Sequence, residues 1–291
     1  MKVLIVGAAG QLGMELQKTV PLGVEVVACG SREMDITDRL LLMEQVKSIG
    51  PDLIINAAAY TKVDQAESDV DQAHAVNELG AGYLAEAALA IEAELFHIST
   101  DFVFDGTQSV PYLPADRPNP QSIYGVSKAA GERRVMAIMS GRALIVRTAW
   151  VYAASGHNFV RTMLRLLAEK DQIGVIAEQV GTPTWARSLA LALWGFRDRK
   201  ATGIYHFTDA GVASWYDFAM AVYEEARELD LVQREVAIRP LRTVDYPLPA
   251  KRPQYSILDK TSTWQLLDIP PVHWRVCLRK MLREMKDGHD A

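Results

Sequence analysis

Short apolar runs alternate with stretches of helical periodicity along the first half of the chain. KVLIVG (2–7), EVVACG (25–30), DLIINA (52–57), ELFHIS (94–99) and ALIVRT (143–148) read as buried strands, and helical patterns cover 11–19, 36–48, 69–91 and 124–140. A strand that is apolar along its whole length is covered on both faces. Strand–helix alternation of this kind predicts an α/β fold, a doubly wound parallel (Rossmann) sheet with helices on both sides. After residue 150 the pattern loosens. HNFVRTMLRLLAEK (157–170), WARSLALALWGF (185–196), SWYDFAMAVYEEARELD (214–230) and the amphipathic tail 273–286 read as helices, and GIYHF (203–207) as a strand. The segment 239–255 carries four prolines and reads as a loop over a binding face. The expected organisation is a first domain over 1–150, to which part of 185–210 returns, and a smaller C-terminal α/β domain over 151–291.

Composition narrows the function classes. The chain has 291 residues, 49% of them apolar, enough for a large core. A formal charge of −5 argues against gripping nucleic acid through bulk charge. No apolar run reaches the length of a bilayer span, and MKVLIVGAAG runs into glycines as a strand does, not as a signal peptide. The expectation is a cytoplasmic protein with no membrane partner. Cys29 and Cys277 lie far apart and suggest reduced thiols. The six histidines show no zinc-like spacing.

The first chemistry lies in GAAGQLG (7–13), which follows a strand and opens a helix. Gly7 permits the tight turn, Gly10 lets backbone approach a pyrophosphate, and Gly13 lets helix and strand pack closely. Gln11 and Leu12 open the helix whose N–H groups and dipole face that anion. The spacing is G-x-x-G-x-x-G, so the alternative is a glycine-rich turn of another α/β protein. The second strand ends in Gly30, Ser31 and Arg32 with no carboxylate at its tip. Arg32 is either a partner for a 2′-phosphate, which leans toward NADP(H), or an exposed loop arginine.

The second lies in YGVSK (124–128). On a helix Tyr124 and Lys128 share a face, and a cation beside a phenol lowers its pKa, so that it can protonate a carbonyl oxygen near neutrality. A third donor is sought at the carboxyl end of the fourth strand, where HISTDFVFDG (97–106) supplies Ser99, Thr100 and Asp101. Tyr-x-x-x-Lys alone is common by chance; with the glycine loop and the hydroxyl cluster it becomes specific.

GAAGQLG, NAAAYTKVDQAE (56–67), STDFVFDG (99–106) and YGVSK together resemble the extended short-chain dehydrogenase/reductases, and within them the dTDP-4-dehydrorhamnose reductase family. RTAWVY (147–152), GHNFVRTML (156–164), VGTPTWA (180–186), GIYHFTDAGVASWYDFA (203–219) and KRPQYSILD (251–259) extend the resemblance over nearly the whole chain. It implies NAD(P)H-dependent reduction of the C4 ketone of a dTDP-sugar, in dTDP-rhamnose synthesis for cell-surface polysaccharide, by a homodimer. It assigns proton donation to Tyr124, a supporting role to Lys128, and the superfamily's serine role, a hydrogen bond to the sugar carbonyl, to Thr100; Tyr124 and Lys128 are also expected to bind the cofactor, the lysine by donating to the nicotinamide ribose hydroxyls. Asp101 is assigned to the sugar site and Trp150 to the face of the deoxysugar. Ala57, Ala58, Ala59 and Tyr60 are placed beside the cofactor, Asp35 and Ile36 near its adenine end, and Asn77 among the residues that hold the architecture. Phe102 stands where the family commonly has tyrosine, which removes a hydroxyl from the substrate site. Some members bind Mg2+ through glutamates near a dimer interface; Glu15 matches one, and the others find no match here. Arg252 reads either as a bidentate partner of the substrate diphosphate or as a surface arginine. The alternatives are another nucleotide-sugar ketoreductase or epimerase, and a non-catalytic dinucleotide-binding regulatory subunit.

Overall fold

In the computed structural model residues 1–289 are described; 290 and 291, the end of the expected second domain, lie outside them. Five strands, β1 (Lys2–Val6), β2 (Glu25–Cys29), β3 (Leu53–Asn56), β4 (Glu94–Thr100) and β5 (Ala143–Thr148), are joined by a sixth, Gly203–His206. The sheet order is Gly203–His206, β5, β4, β3, β1, β2, and every neighbouring pair is parallel. The chain steps outward from β1 to β2 and then returns to β1's other side as β3. That reversal opens a crevice at the carboxyl ends of β1 and β3, where open α/β sheets take ligands.

Successive side chains of a strand point to opposite faces, and β1 shows why its run is apolar throughout. Val3 and Ile5 pack under the helices Gln11–Lys18 and Ala186–Asp198, with Leu189, Leu193 and Phe196. Leu4 and Val6 pack on the other face, against Leu42 and Val46 of Arg39–Ile49 and Leu84 and Ala88 of Ala81–Ala90. A separate apolar cluster, with Tyr152, Val160, Phe218 and Leu282, forms among the helices Phe159–Glu169, Trp215–Glu228 and Trp274–His289.

Three elements differ from the sequence reading. The helix expected over 36–48 begins at Arg39, because Asp38 accepts from Leu41 N–H at 3.1 Å and caps it. The helix expected over 69–91 is broken into Val70–His74, a widened π turn Ala75–Gly80, and Ala81–Ala90. The proline-rich segment is loop only in part: Ala237–Leu241 is a strand paired in parallel with Gln172–Ile176. Pro240 is tolerated because this is a two-stranded ribbon, where edge positions need no amide donor.

Candidate active site

The helix Ile123–Met139 starts where Ser122 Oγ accepts from Gly125 N–H at 3.2 Å, so Tyr124 lies in its first turn. This helix end sits hard against the turn that follows β4. A Cβ on Gly125 would lie 2.2 Å from the carbonyl oxygen of Phe102, so only glycine permits the approach. The consequence is contact: the rings of Phe102 and Tyr124 meet edge to face with centroids 5.5 Å apart.

Thr100 is the last residue of β4, and Asp101 opens the next turn. Both are buried. Thr100 Oγ1 donates its one proton to Asp101 Oδ1 at 3.0 Å and accepts from Phe102 N–H at 3.2 Å. Burial pushes Tyr124 up to about 12; the Thr100 hydroxyl pulls it down and the Asp101 charge adds to the rise. Burial also pushes Asp101 up to about 6, against the hydroxyls of Ser256 and Thr100. Thr100, Asp101 and Tyr124 therefore form one electrostatic unit at the carboxyl edge of the sheet.

Lys128 departs from the sequence reading. It lies one helical turn past Tyr124 and is buried, but its amine turns to β4, donating to the Ile98 carbonyl at 2.6 Å with His97 Nε2 at 3.4 Å. The expected lowering of the phenol by this lysine is not seen; the Tyr124 shift runs upward, because desolvation, joined by the Asp101 charge, outweighs the Thr100 hydroxyl. Lys128 itself is lowered to about 8 by burial, with Glu132 opposing.

The crevice beside β1 is a groove of about 450 Å³ whose lining includes Gly7, Gly10, Ser31, Asp35, Ala58 and Tyr60. Ile36, Ala57 and Ala59 line it too. Gly7 has φ +81°, and a Cβ there would lie 2.5 Å from Ala58 N, so the loop needs a bare backbone. Six expected cofactor residues lie outside this lining, Tyr124 and Lys128 among them. Gly13 packs on Gly7 O, where a Cβ would come to 2.4 Å, and Leu12 is buried in the core. Gln11 accepts from Asn158 Nδ2 at 2.9 Å, tying the glycine loop to the second lobe. Arg32 is exposed, one residue past Ser31. Glu33 turns back to Gly30 N–H at 2.9 Å and Asp35 to Thr37 N–H at 2.9 Å, so one oxygen of each nearby carboxylate is engaged.

Asn77, on the π turn, binds both sides of Tyr60: Oδ1 accepts from Tyr60 N–H at 2.8 Å, and Nδ2 donates to Tyr60 O and to Ser127 Oγ, each at 3.1 Å. The wider turn aims this side chain between the groove wall and the Tyr124 helix. Trp150 follows β5 and sits at φ +48°, a strained backbone for a bulky residue. Its ring stacks on Trp215 with centroids 3.6 Å apart, so one face is already covered. Arg252 is engaged as well, held by Asp64 through two hydrogen bonds.

Comparison with known proteins agrees with this architecture. The family profile described as the RmlD substrate binding domain matches residues 1–287. The chain belongs to this family. It is 42% identical to a dTDP-4-dehydrorhamnose reductase of Aggregatibacter actinomycetemcomitans, over 96% of this chain and 98% of that one. The crystal structure of a dTDP-4-dehydrorhamnose reductase from Clostridium acetobutylicum superposes with a TM-score of 0.93 at 38% identity, covering 98% of this chain and 100% of the other. That of a Bacillus anthracis dTDP-4-dehydrorhamnose reductase in complex with NADP gives 0.92 at 35% identity, covering 97% and 99%.

The Mg2+ of some relatives is not matched by a donor set here. Glu15 is buried, and its two oxygens accept from Lys18 Nζ at 2.8 Å and Arg187 Nε at 2.7 Å. Arg187 also binds Glu284. A guanidinium thus occupies the place between two carboxylates that a metal ion would need. Among the described residues no three acidic, histidine or cysteine side chains cluster to hold a metal.

The sequence reading passed over Ser31 as a groove residue, Ser256 beside Asp101, and His97 beside Lys128. Ser31 and His97 stood inside quoted motifs, at a strand tip and within a strand; Ser256 lies in KRPQYSILD, 155 positions from Asp101, and only folding brings it there.

Proposed function

We propose that this protein is a dTDP-4-dehydrorhamnose reductase: it reduces the C4 ketone of dTDP-4-dehydro-β-L-rhamnose to dTDP-L-rhamnose with a nicotinamide cofactor. The observation that carries the reading is the Tyr124–Thr100–Asp101 unit at the carboxyl edge of a sheet whose glycine loop walls a dinucleotide-sized groove. The relatives' names supply the substrate.

When bound in that groove the nicotinamide supplies the hydride. The protein's own residues manage the oxygen. A phenol held near 12 keeps its proton at neutral pH, yet an alkoxide is a stronger base than a phenolate, so Tyr124 yields the proton as charge gathers on the ketone oxygen. The Thr100 hydroxyl, which pulls Tyr124 down against its burial, supports the phenolate oxygen left once that proton has gone, provided its own proton turns there from Asp101. The threonine's part is then to support the phenol oxygen; this differs from the direct bond to the ketone that the resemblance implies. Lys128 anchors the helix to β4 through the Ile98 carbonyl.

NADPH is favoured over NADH because no carboxylate stands at the β2 tip itself, where Gly30 is followed by Ser31, which lines the groove, and by the exposed Arg32. Residues 1–150 with 186–206 hold the cofactor in this reading, and the remainder holds the nucleotide sugar. A cytoplasmic address suits the unpaired, buried Cys29 and Cys277; among the described residues no helix is long and apolar enough to cross a membrane. The homodimer and the link to cell-surface polysaccharide rest on the resemblance.

The test is loss of nicotinamide absorbance on mixing the protein with dTDP-4-dehydro-β-L-rhamnose and each cofactor, with the product identified by mass and sugar configuration. No sugar-dependent oxidation of either cofactor would overturn the reading.

A further inference from the structure

Beneath the candidate site runs a buried polar chain that the reaction as derived does not use. Asn56 ends β3, and His97 is its register partner on β4. Asn56, His97 and Lys128 are each 1% exposed. Ala58 N–H donates to Asn56 Oδ1 at 3.1 Å, which fixes the amide so that its NH2 faces His97. Asn56 Nδ2 then meets His97 Nδ1 at 3.1 Å. An amide nitrogen only donates, so Nδ1 must accept and carries no proton. A neutral imidazole then holds its proton on Nε2, and Nε2 faces Lys128 Nζ at 3.4 Å.

This arrangement separates the two forms of the lysine. The neutral amine has a lone pair that can accept from Nε2–H while one of its own protons goes to Ile98 O at 2.6 Å. The ammonium has only donors, and one of its N–H groups would oppose Nε2–H. We propose that His97 is a positioning residue: its Nε2–H, oriented by Asn56, favours the uncharged amine of Lys128 and holds it against the Ile98 carbonyl. Lys128 is thereby poised to take up and return a proton one helical turn from Tyr124.

The surroundings support this assignment. Burial, then the neighbouring Lys128, holds His97 well below the usual histidine range, so the ring is neutral. Lys128 is lowered to about 8 by burial. Glu132, on the same helix, pulls the other way, but Arg147 of β5 neutralises it through bonds of 2.9 and 2.7 Å. From the π turn the helix meets Asn77, which is uncharged. Tyr124 and Asp101, at the helix start, act on each other. His97 is thus the group from β4 that differentiates the two states of the amine.

The consequence for turnover rests on the reductase reading; the assignment itself can be read without substrate or nucleotide. In wild-type protein carrying 15N-histidine, the His97 ring is expected as the Nε2–H tautomer, with no second protonation between pH 5 and 9. In protein carrying 13C-lysine, the Lys128 signal, assigned by its loss in K128M, is expected to titrate near 8. In His97→Leu its midpoint moves up by about one pH unit, a tenfold rise in proton affinity, and the basic limb of kcat/KM moves with it. A side chain that merely fills the core would lower the melting temperature of H97L and leave the Lys128 midpoint where it was. An unchanged midpoint, or an Nδ1–H tautomer in the wild type, overturns the inference whether or not the protein reduces the sugar. The tautomer measurement also stands if H97L fails to fold.

Discussion

Arg252 and Asp64, 188 residues apart, meet through two hydrogen bonds of 2.9 and 2.7 Å and fasten the proline-rich segment to the dinucleotide half of the molecule. Ala250 N–H adds a third at 3.2 Å to the same carboxylate. An arginine read from sequence as a diphosphate partner or a surface group is the anchor of a strap in this structure.

Asp64→Asn should loosen that strap. The pair is partly open to water, so the expected loss of stability is modest, about 1 kcal/mol. Hydrogen exchange of 247–252 should quicken at neutral pH. The Arg252 bond, outweighing burial, holds Asp64 below the usual carboxylate range. Its stabilisation is therefore present above the unfolded value of about 3.9 and lost as pH falls through the lower folded value. Wild type and D64N should differ at pH 7 and converge in strong acid.

Tyr124→Phe keeps the ring that meets Phe102 and removes the proton donor. Turnover should fall by about 10²–10⁴-fold while NADPH binding, followed by fluorescence, stays near wild type. Unchanged turnover would take Tyr124 out of the chemistry.

Asp101→Asn should gain stability while losing activity. Burial raises this carboxyl to about 6, so the folded chain is penalised for its charge above that pH and free of the penalty below the unfolded value near 3.9. Melting should show D101N gaining about 1–3 kcal/mol at pH 8 and almost nothing at pH 4. Turnover should drop, because the acceptor that organises the Thr100 hydroxyl is altered.

Arg187→Ala removes the cation between Glu15 and Glu284. The expected cost is about 2 kcal/mol, less than for a fully buried pair because Arg187 and Glu284 are partly exposed. Wild-type melting should ignore both chelator and Mg2+. R187A should regain part of its loss when Mg2+ is added, since two carboxylates then face each other with Lys18 alone bonded to Glu15.

The sheet was legible because its signal is local. A strand covered on both faces must be apolar along its length, and β5 occupies the residues ALIVRT that its run marks out. The glycine loop was legible for the same reason: turn, strand and helix follow within a dozen residues. What escaped depends on distant partners. The π turn at 75–80, AVNELG, carries no proline to mark it, and its Asn77 reaches Tyr60 and Ser127, partners far off in sequence. Lys128 and Tyr124 share a helix face as spacing requires, but the lysine's direction is decided by the Ile98 carbonyl on another strand. Spacing fixes where a side chain begins; its endpoint depends on which unpaired group lies across the core.

Gly131 allows the Tyr124 helix to rest on the carbonyl of Asn77, where an added methyl would come within 2.1 Å. The same asparagine grips the wall of the groove. Groove and helix are in this way mechanically yoked, so a substitution that shifts one displaces the other. Efforts to alter cofactor choice from the 57–60 side should register in the placement of the proton donor, and compensating changes should be sought at 77 and 127 before the chemistry itself is redesigned.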